Sequence, residues 1–199
     1  MNYKINEIFY SLQGEGFWVG IPMVFVRFSG CNLKCSYCDT KHEKVNFQFT
    51  AEELIKYLED NFSECKRICL TGGEPMLQVS QNLVNKLYEN GYCIHIETNG
   101  TIDKILNLCW KTISPKENWK LRRGDELKII WQGQTIEELN HYTRDVRFDF
   151  YYLQPCYPWL TIPPNSPLMV KRLDKLLNII KGDNLWRLSL QIQKVLNTM

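Results

Sequence analysis

The sequence has no apolar run long enough to cross a membrane, no low-complexity tract, no internal repeat and no Gly/Ser/Pro-rich linker. A spanning helix needs about 20 consecutive apolar residues, so a helical membrane protein is excluded. Without a linker, the 199 residues read as one domain, 1–199. Neither charge sign dominates: 24 Lys and Arg stand against 22 Asp and Glu, a net charge of +2, and the two signs are interspersed. No nucleic-acid stripe is expected, although a small anionic substrate fits. The segment Met1–Glu7 lacks the apolar core of a signal peptide, which predicts a cytoplasmic protein. In that compartment the eight cysteines are expected as thiols and metal ligands rather than disulfides. Histidine is scarce, with three residues, and none is paired at ligand spacing.

What is present is a cysteine triplet, Cys31-x3-Cys35-x2-Cys38, directly after the apolar run Met23–Phe28. A structural zinc site or a four-thiolate cluster needs four protein ligands, and no second Cys or His pair follows at ligand spacing. A cluster held by three cysteines leaves one iron open to a non-protein ligand, which marks chemistry rather than electron storage. Arg27 interrupts the preceding strand and is a candidate anion anchor, because an unpaired buried guanidinium is costly.

Strand and helix patterns alternate about six times along the chain. Strands are expected near 3–10, 23–28, 67–70, 92–97, 108–113, 126–131, 148–153 and 186–190. Helices are expected over 51–61, opened by the capping box Thr50-Ala-Glu-Glu53, and over 77–90, after Gly100, from about 135 and over 168–181. This alternation predicts an α/β fold with a parallel sheet. The chain is shorter than the roughly 250 residues of a complete eight-fold barrel, so a partial, open TIM-like barrel of about six β/α units is expected. Polar loops follow the strands at Cys31–Thr40, Thr71–Pro75, Glu97–Gly100, Ser114–Lys116 and Gln154. Parallel strands would gather them at one C-terminal rim, where such sheets bind ligands.

Cys65, Cys69, Cys93, Cys109 and Cys156 are expected to be small core residues, and His42, His95 and His141 surface or core residues rather than ligands. The aromatics Trp110, Trp119, Trp131, Tyr151, Tyr152, Tyr157 and Trp159 read mainly as packing.

The triplet resembles the cluster loop of radical S-adenosylmethionine (SAM) enzymes, and Thr71-Gly72-Gly73-Glu74-Pro75 resembles their glycine-glutamate motif. Over nearly the whole chain the sequence is similar to the 7-carboxy-7-deazaguanine synthase family. The supporting elements are Ser11–Gly16, Arg27, Cys38-Asp39-Thr40, Glu97–Gly100, Ser114-Pro115-Lys116, Gln154-Pro155 and Arg187–Gln191. The resemblance implies a [4Fe-4S] cluster on Cys31, Cys35 and Cys38, with SAM on its open iron. It places Tyr37, Asp39, Gly73, Glu74, Ser114, Lys116 and Gln154 at SAM, with Glu74 on the amino group. Leu12, Gln13, Gly14, Glu15, Arg27 and Thr71 fall at the pterin pocket, with the Met199 terminal carboxylate reaching it, and Thr40 at Mg2+. The implied reaction turns 6-carboxytetrahydropterin into 7-carboxy-7-deazaguanine with loss of ammonia. It proceeds by hydrogen abstraction at the carbon bearing the carboxylate, radical ring contraction and hydrogen return, with SAM regenerated. A flavodoxin or ferredoxin as reducing partner and a homodimer are implied as well.

One departure is Gln193, where the family's Leu-Gln-x-His-Lys tail has His: an amide keeps a hydrogen bond but carries no charge. Two other readings compete. One is an activating enzyme that installs a glycyl radical on a partner protein, against which the Gln13–Gly16 loop and Arg27 argue. The other is a non-catalytic zinc or iron-sulfur module, which leaves the strand-end polar loops unexplained.

Overall fold

The computed structural model describes residues 2–156 and 166–196. Within them, nine strands form one sheet: β1 (Tyr3–Leu12), β2 (Pro22–Phe28), β3 (Phe47–Phe49), β4 (Arg67–Gly72), β5 (Cys93–Thr98), β6 (Trp110–Ile113), β7 (Glu126–Trp131), β8 (Phe150–Pro155) and β9 (Trp186–Leu188). Their order is β3-β1-β2-β4-β5-β6-β7-β8-β9. From β2 onward every junction is parallel, while β1 runs antiparallel to both β2 and β3. The sheet is thus mixed, and the first strand stands outside the expected alternation.

The helices are α1 (Ala51–Phe62), α2 (Gln81–Glu89), α3 (Ile136–Thr143), α4 (Pro167–Gly182) and α5 (Ile192–Val195). Thr50 and Glu53 form a reciprocal capping box on α1, and Thr135 and Glu138 form another on α3; each satisfies backbone N–H groups that the first turn cannot. A 3-10 turn at Pro75–Leu77 takes the place of the expected start of α2. No helix forms after Gly100, so β5 and β6 are joined by loop alone, as are β6 and β7. β6 and β7 share only the pairs Thr112↔Glu126 and Ile113↔Leu127, against six pairs between β7 and β8.

Side chains alternate across the sheet, and the two faces differ in character. Val24, Val26, Ile68, Leu70, Ile94, Ile96, Leu127, Ile129 and Leu153 face the helices and join Leu54, Leu58, Leu83, Leu87, Leu139 and Leu176 in the main core. On the opposite, inner face a smaller cluster of Met23, Phe25 and Cys69 packs against Phe9, Trp18 and Ile21. Beside it, His95 is buried edge-on against Trp18 and stacked near Trp110.

Burial holds the His95 imidazole down at about 4, with Arg67 adding to the effect. The folded chain keeps this group neutral, whereas the unfolded chain takes up its proton near 6.5. The contribution of His95 to stability is therefore whole above pH 6.5 and declines as pH falls toward 4, by about 3 kcal/mol in all. His95→Phe should flatten this acid limb, which denaturation midpoints between pH 4 and 7 would show.

Candidate functional site

The cysteine loop leaves β2 at the C-terminal end of the parallel strands, as do the loops after β4, β5 and β6. Glu74 ties these ends together. It is wholly buried, and its carboxylate accepts from Met76 N (2.9 Å), Thr98 Oγ1 (2.7 Å) and Asn99 N (2.7 Å). Burial raises its pKa, opposed by those bonds. Its side chain thus points inward and joins the loop after β4 to the end of β5. Asn99 extends the tie: its Nδ2 donates to Asn32 Oδ1 (3.0 Å), and Asn32 Nδ2 donates to Thr101 Oγ1 (2.8 Å). Gly73 is held so close to Gly30 that an added Cβ would fall 2.0 Å from the Gly30 carbonyl oxygen and 3.1 Å from Cys31 Cβ.

Cys31, Cys35 and Cys38 are free thiols on a loop without helix or strand, with Cys38 N bonded to Cys35 O (3.1 Å) and Leu33 N to Cys31 Sγ (3.4 Å). Among the described residues no three His, Cys, Asp or Glu side chains stand converged as a metal site. The donor set itself fits a cluster: three free thiols lie beside a glycine cradle, with a cation at hand. That cation is Lys116, whose Nζ donates to Ser114 Oγ (3.0 Å) and lies 5.5 Å from the Tyr37 ring centre. Burial lowers its pKa, partly offset by Cys35. Thr40 Oγ1 lies 3.4 Å from Asp39 Oδ1, giving two hard oxygens next to the thiols.

The Ser11–Gly16 segment takes another route. Because β1 is antiparallel, this segment leaves from the edge where β2 begins, Leu12 pairing with Pro22. It then crosses the inner face. Gln13 Nε2 donates to Glu97 Oε1 (2.9 Å), Glu15 is paired with Lys128, and Phe17 N donates to Glu126 Oε2 (3.1 Å). Lys128 also lies 3.8 Å from Glu97, and only 4% of its side chain is exposed. Burial opposes the Lys128 charge, but Glu15, Glu97 and Glu126 outweigh it and push its pKa upward. For Glu15 burial likewise opposes ionisation, and Lys128 with two Gln amides wins, holding it at about 2. Glu126 is pushed to about 7 by burial.

Arg27 Nε lies 3.1 Å from Glu7 Oε2, and its guanidinium sits over the Phe9 ring; Thr71 pairs with it in register on β4. Gln154 is buried on β8, its Oε1 accepting from Ser189 Oγ (2.8 Å). The structure therefore brings Gln13, Glu15, Arg27, Thr71 and Gln154 to one face of the sheet, under the loop that carries Cys31–Thr40. Leu12 is 41% exposed at the opposite edge. Met199, Tyr157 and Trp159 lie outside the described residues. Cys65, Cys69 and Cys156 are buried as expected, but Cys93 is exposed at the first position of β5 and Cys109 half-exposed before β6. Sequence reasoning passed over Lys128 and Glu126, although charges at alternate positions of an apolar strand, with Leu127 and Ile129 between, are a legible sign of a polar inner face.

Residues 25–114 match the radical SAM superfamily. Over 201 residues the chain is 42% identical to the 7-carboxy-7-deazaguanine synthase of Bacteroides thetaiotaomicron, with 99% of each chain covered. The chain belongs to the 7-carboxy-7-deazaguanine synthase family. The synthase of Burkholderia multivorans is 34% identical over 218 residues, with 99% of each chain covered. Among solved structures, QueE from Escherichia coli superposes with a TM-score of 0.75 at 29% identity, covering 96% of this chain and 94% of that one. The flanking helices and mixed sheet are thus those of a synthase fold. No helix among the described residues is long and apolar enough to cross a membrane.

Proposed function

We propose that this chain converts 6-carboxy-5,6,7,8-tetrahydropterin to 7-carboxy-7-deazaguanine with release of ammonia. The family membership makes it a radical SAM enzyme of 7-deazapurine and queuosine biosynthesis. The observation that carries the substrate assignment is the set Gln13, Glu15, Glu97 and Lys128 on the inner face, with Gln13 and Lys128 buried and the two carboxylates partly so. A module that only stores a metal has no use for charges desolvated at such cost.

A [4Fe-4S] cluster with SAM supplies, when bound, a 5′-deoxyadenosyl radical that takes a hydrogen from the substrate. Cys31, Cys35 and Cys38 would hold the cluster; Tyr37, Asp39, Gly73, Ser114, Lys116 and Gln154 would hold SAM, with Glu74 bracing that end of the loop. Arg27 suits the substrate carboxylate, because a guanidinium offers a rigid fork of donors. Gln13, Gly14, Glu15 and Thr71 would orient the pterin ring. Thr40 would give Mg2+ a hard oxygen, leaving its other positions to water and substrate. Lys128 fixes Glu15 in its ionised form, so that carboxylate accepts hydrogen bonds from the ring and does not donate them.

The wider reading is a single domain curved into a partial, open barrel. Hydrogen bonds from Ile192 N to Gly14 O (3.0 Å) and from Gly16 N to Ser189 Oγ (3.0 Å) support it, since they join the loop after β1 to the segment after β9. A cytoplasmic homodimer reduced by a flavodoxin or ferredoxin completes the proposal. Anaerobically reconstituted protein given SAM, dithionite, Mg2+ and 6-carboxytetrahydropterin should yield the deazaguanine, detected by its mass and ultraviolet spectrum. Cleavage of SAM without that product would overturn the substrate assignment, and colourless protein with stoichiometric zinc would overturn the enzyme itself.

A further inference from the structure

After β9 the chain turns back across the site, and its side chains reach both of the loops described above. Gln191 Nε2 donates to Glu15 Oε1 (2.9 Å) and lies 3.4 Å from Asp39 Oδ2. Lys194 Nζ is paired with Asp39 and also donates to Gln191 Oε1 (2.9 Å). Gln193 Nε2 donates to the same Glu15 oxygen (3.0 Å), and Gln193 lies so close over Gly14 that an added Cβ would meet its Oε1 at 1.7 Å. The backbone seats the segment independently, through Ile192 N to Gly14 O and Ser189 N to Leu153 O.

The chemistry fixes which way the Gln191 amide faces. Its oxygen can only accept and meets the Lys194 ammonium; its two N–H groups can only donate and meet carboxylates from two different loops. Glu15 belongs to the connection between β1 and β2, and Asp39 to the cysteine loop that follows β2. Gln191 is therefore a single planar group spanning the substrate-side loop and the cofactor-side loop, braced from behind by a cation.

We propose that Gln191 and Lys194 are positioning residues that couple the two binding sites, so that filling the pterin site tightens SAM and filling the SAM site tightens the pterin by the same factor. This rests on the function proposed above, which puts Glu15 at the pterin and Asp39 at SAM. A ligand that fixes Glu15 fixes one N–H of the amide, and a planar amide held at one N–H and at its oxygen has no freedom left at the other. Ordering Asp39 by this route lowers the ordering cost left for the second ligand, and linkage requires the effect to be reciprocal. The Lys194–Asp39 pair is half-exposed, with 23% and 46% of the side chains accessible, so it contributes little to global stability. Its effect is expected on coupling rather than on folding.

The test uses the cluster-reconstituted enzyme without reductant, so that neither ligand turns over. SAM affinity is measured by calorimetry with and without saturating 6-carboxytetrahydropterin, and pterin affinity with and without SAM. The wild type should show coupling of about fivefold or more, equal in both directions within error. Gln191→Leu and Lys194→Met should bring the factor below about twofold, while Lys194→Arg keeps it. Thermal midpoints and iron content of Lys194→Met at wild-type level would separate lost coupling from lost fold. Wild-type coupling retained in both Gln191→Leu and Lys194→Met, or a wild type that binds and converts the pterin with no coupling, overturns the inference alone. A wild type that binds no pterin overturns the functional reading and the coupling with it.

Discussion

Lys128→Met is expected to destabilise the fold by about 3–5 kcal/mol at pH 7, the usual cost of removing one partner from a buried ionic group. For a chain of this length that is a fall in thermal midpoint of about 10 °C. The reason is the company the lysine keeps. Glu15 is paired with it, Glu97 lies 3.8 Å away, and Glu126 adds a third carboxyl to the same buried surface. Methionine has nearly the same length but supplies neither charge nor donor. The loss should also depend on pH in a definite sense. In the wild type Glu15 is held at about 2, so its contribution is present above pH 4.5 and fades only as pH falls from there toward 2. In the variant, burial acts on Glu15 unopposed by the lysine and raises its pKa above the unfolded value. The variant then gains stability as pH is lowered from 7 to 5, and its gap to the wild type narrows. Urea midpoints of both proteins at pH 7 and pH 5 would show this; a gap that is constant, or under about 1 kcal/mol, would contradict it.

The second large effect is expected at Glu74. Glu74→Ala leaves Met76 N, Thr98 Oγ1 and Asn99 N without their acceptor in a site closed to water, and each buried donor stranded in this way costs about 1–3 kcal/mol. A total of about 3 kcal/mol or more is expected, less whatever water can enter the space left behind. Glu74→Gln keeps one oxygen and should lose about half as much. The alanine variant should also hold less iron after reconstitution, because Asn99 reaches Asn32 in the cysteine loop and Glu74 is what holds Asn99 N. Iron content at the wild-type level with lowered stability would restrict Glu74 to folding.

The parts of this molecule that sequence reveals are those whose signal is local. The apolar faces of β2, β4 and β5, the capping box at Thr50, and the spacing of Cys31, Cys35 and Cys38 each lie within a dozen residues, and apart from the helix expected after Gly100 each predicted element is present within a few residues of its expected bounds. The direction of β1 is not local. A strand pattern is the same whichever way its partner runs, so the route of Gln13–Gly16 across the inner face follows only from the pairing of Leu12 with Pro22. β3 and α5, at three and four residues, are too short to carry a period. The contacts of Gln191 and Lys194 with Glu15 and Asp39 span more than 150 positions, and nothing in the tail's own composition announces them. Glu74 was legible as a carboxylate in a glycine turn, but not as a buried peg, because its three donors come from two separate strand ends.

The scant pairing between β6 and β7 has a mechanical consequence. With two residue pairs it is the shortest of the parallel junctions, and no crossover helix lies in the β5–β6 or the β6–β7 connection. It divides the sheet into two jaws, one carrying the cysteine loop, Arg27 and Glu74, the other carrying Lys128 and Gln154. Main-chain bonding across this junction is confined to those two pairs and the Asp125 N to Lys111 O bond beside them. On the inner face the rivets come from the β1–β2 connection, the Glu15 carboxylate on Lys128 and the Phe17 backbone N–H on the Glu126 carboxylate, so charge that arrives from the far end of the sheet bears on the width of the site.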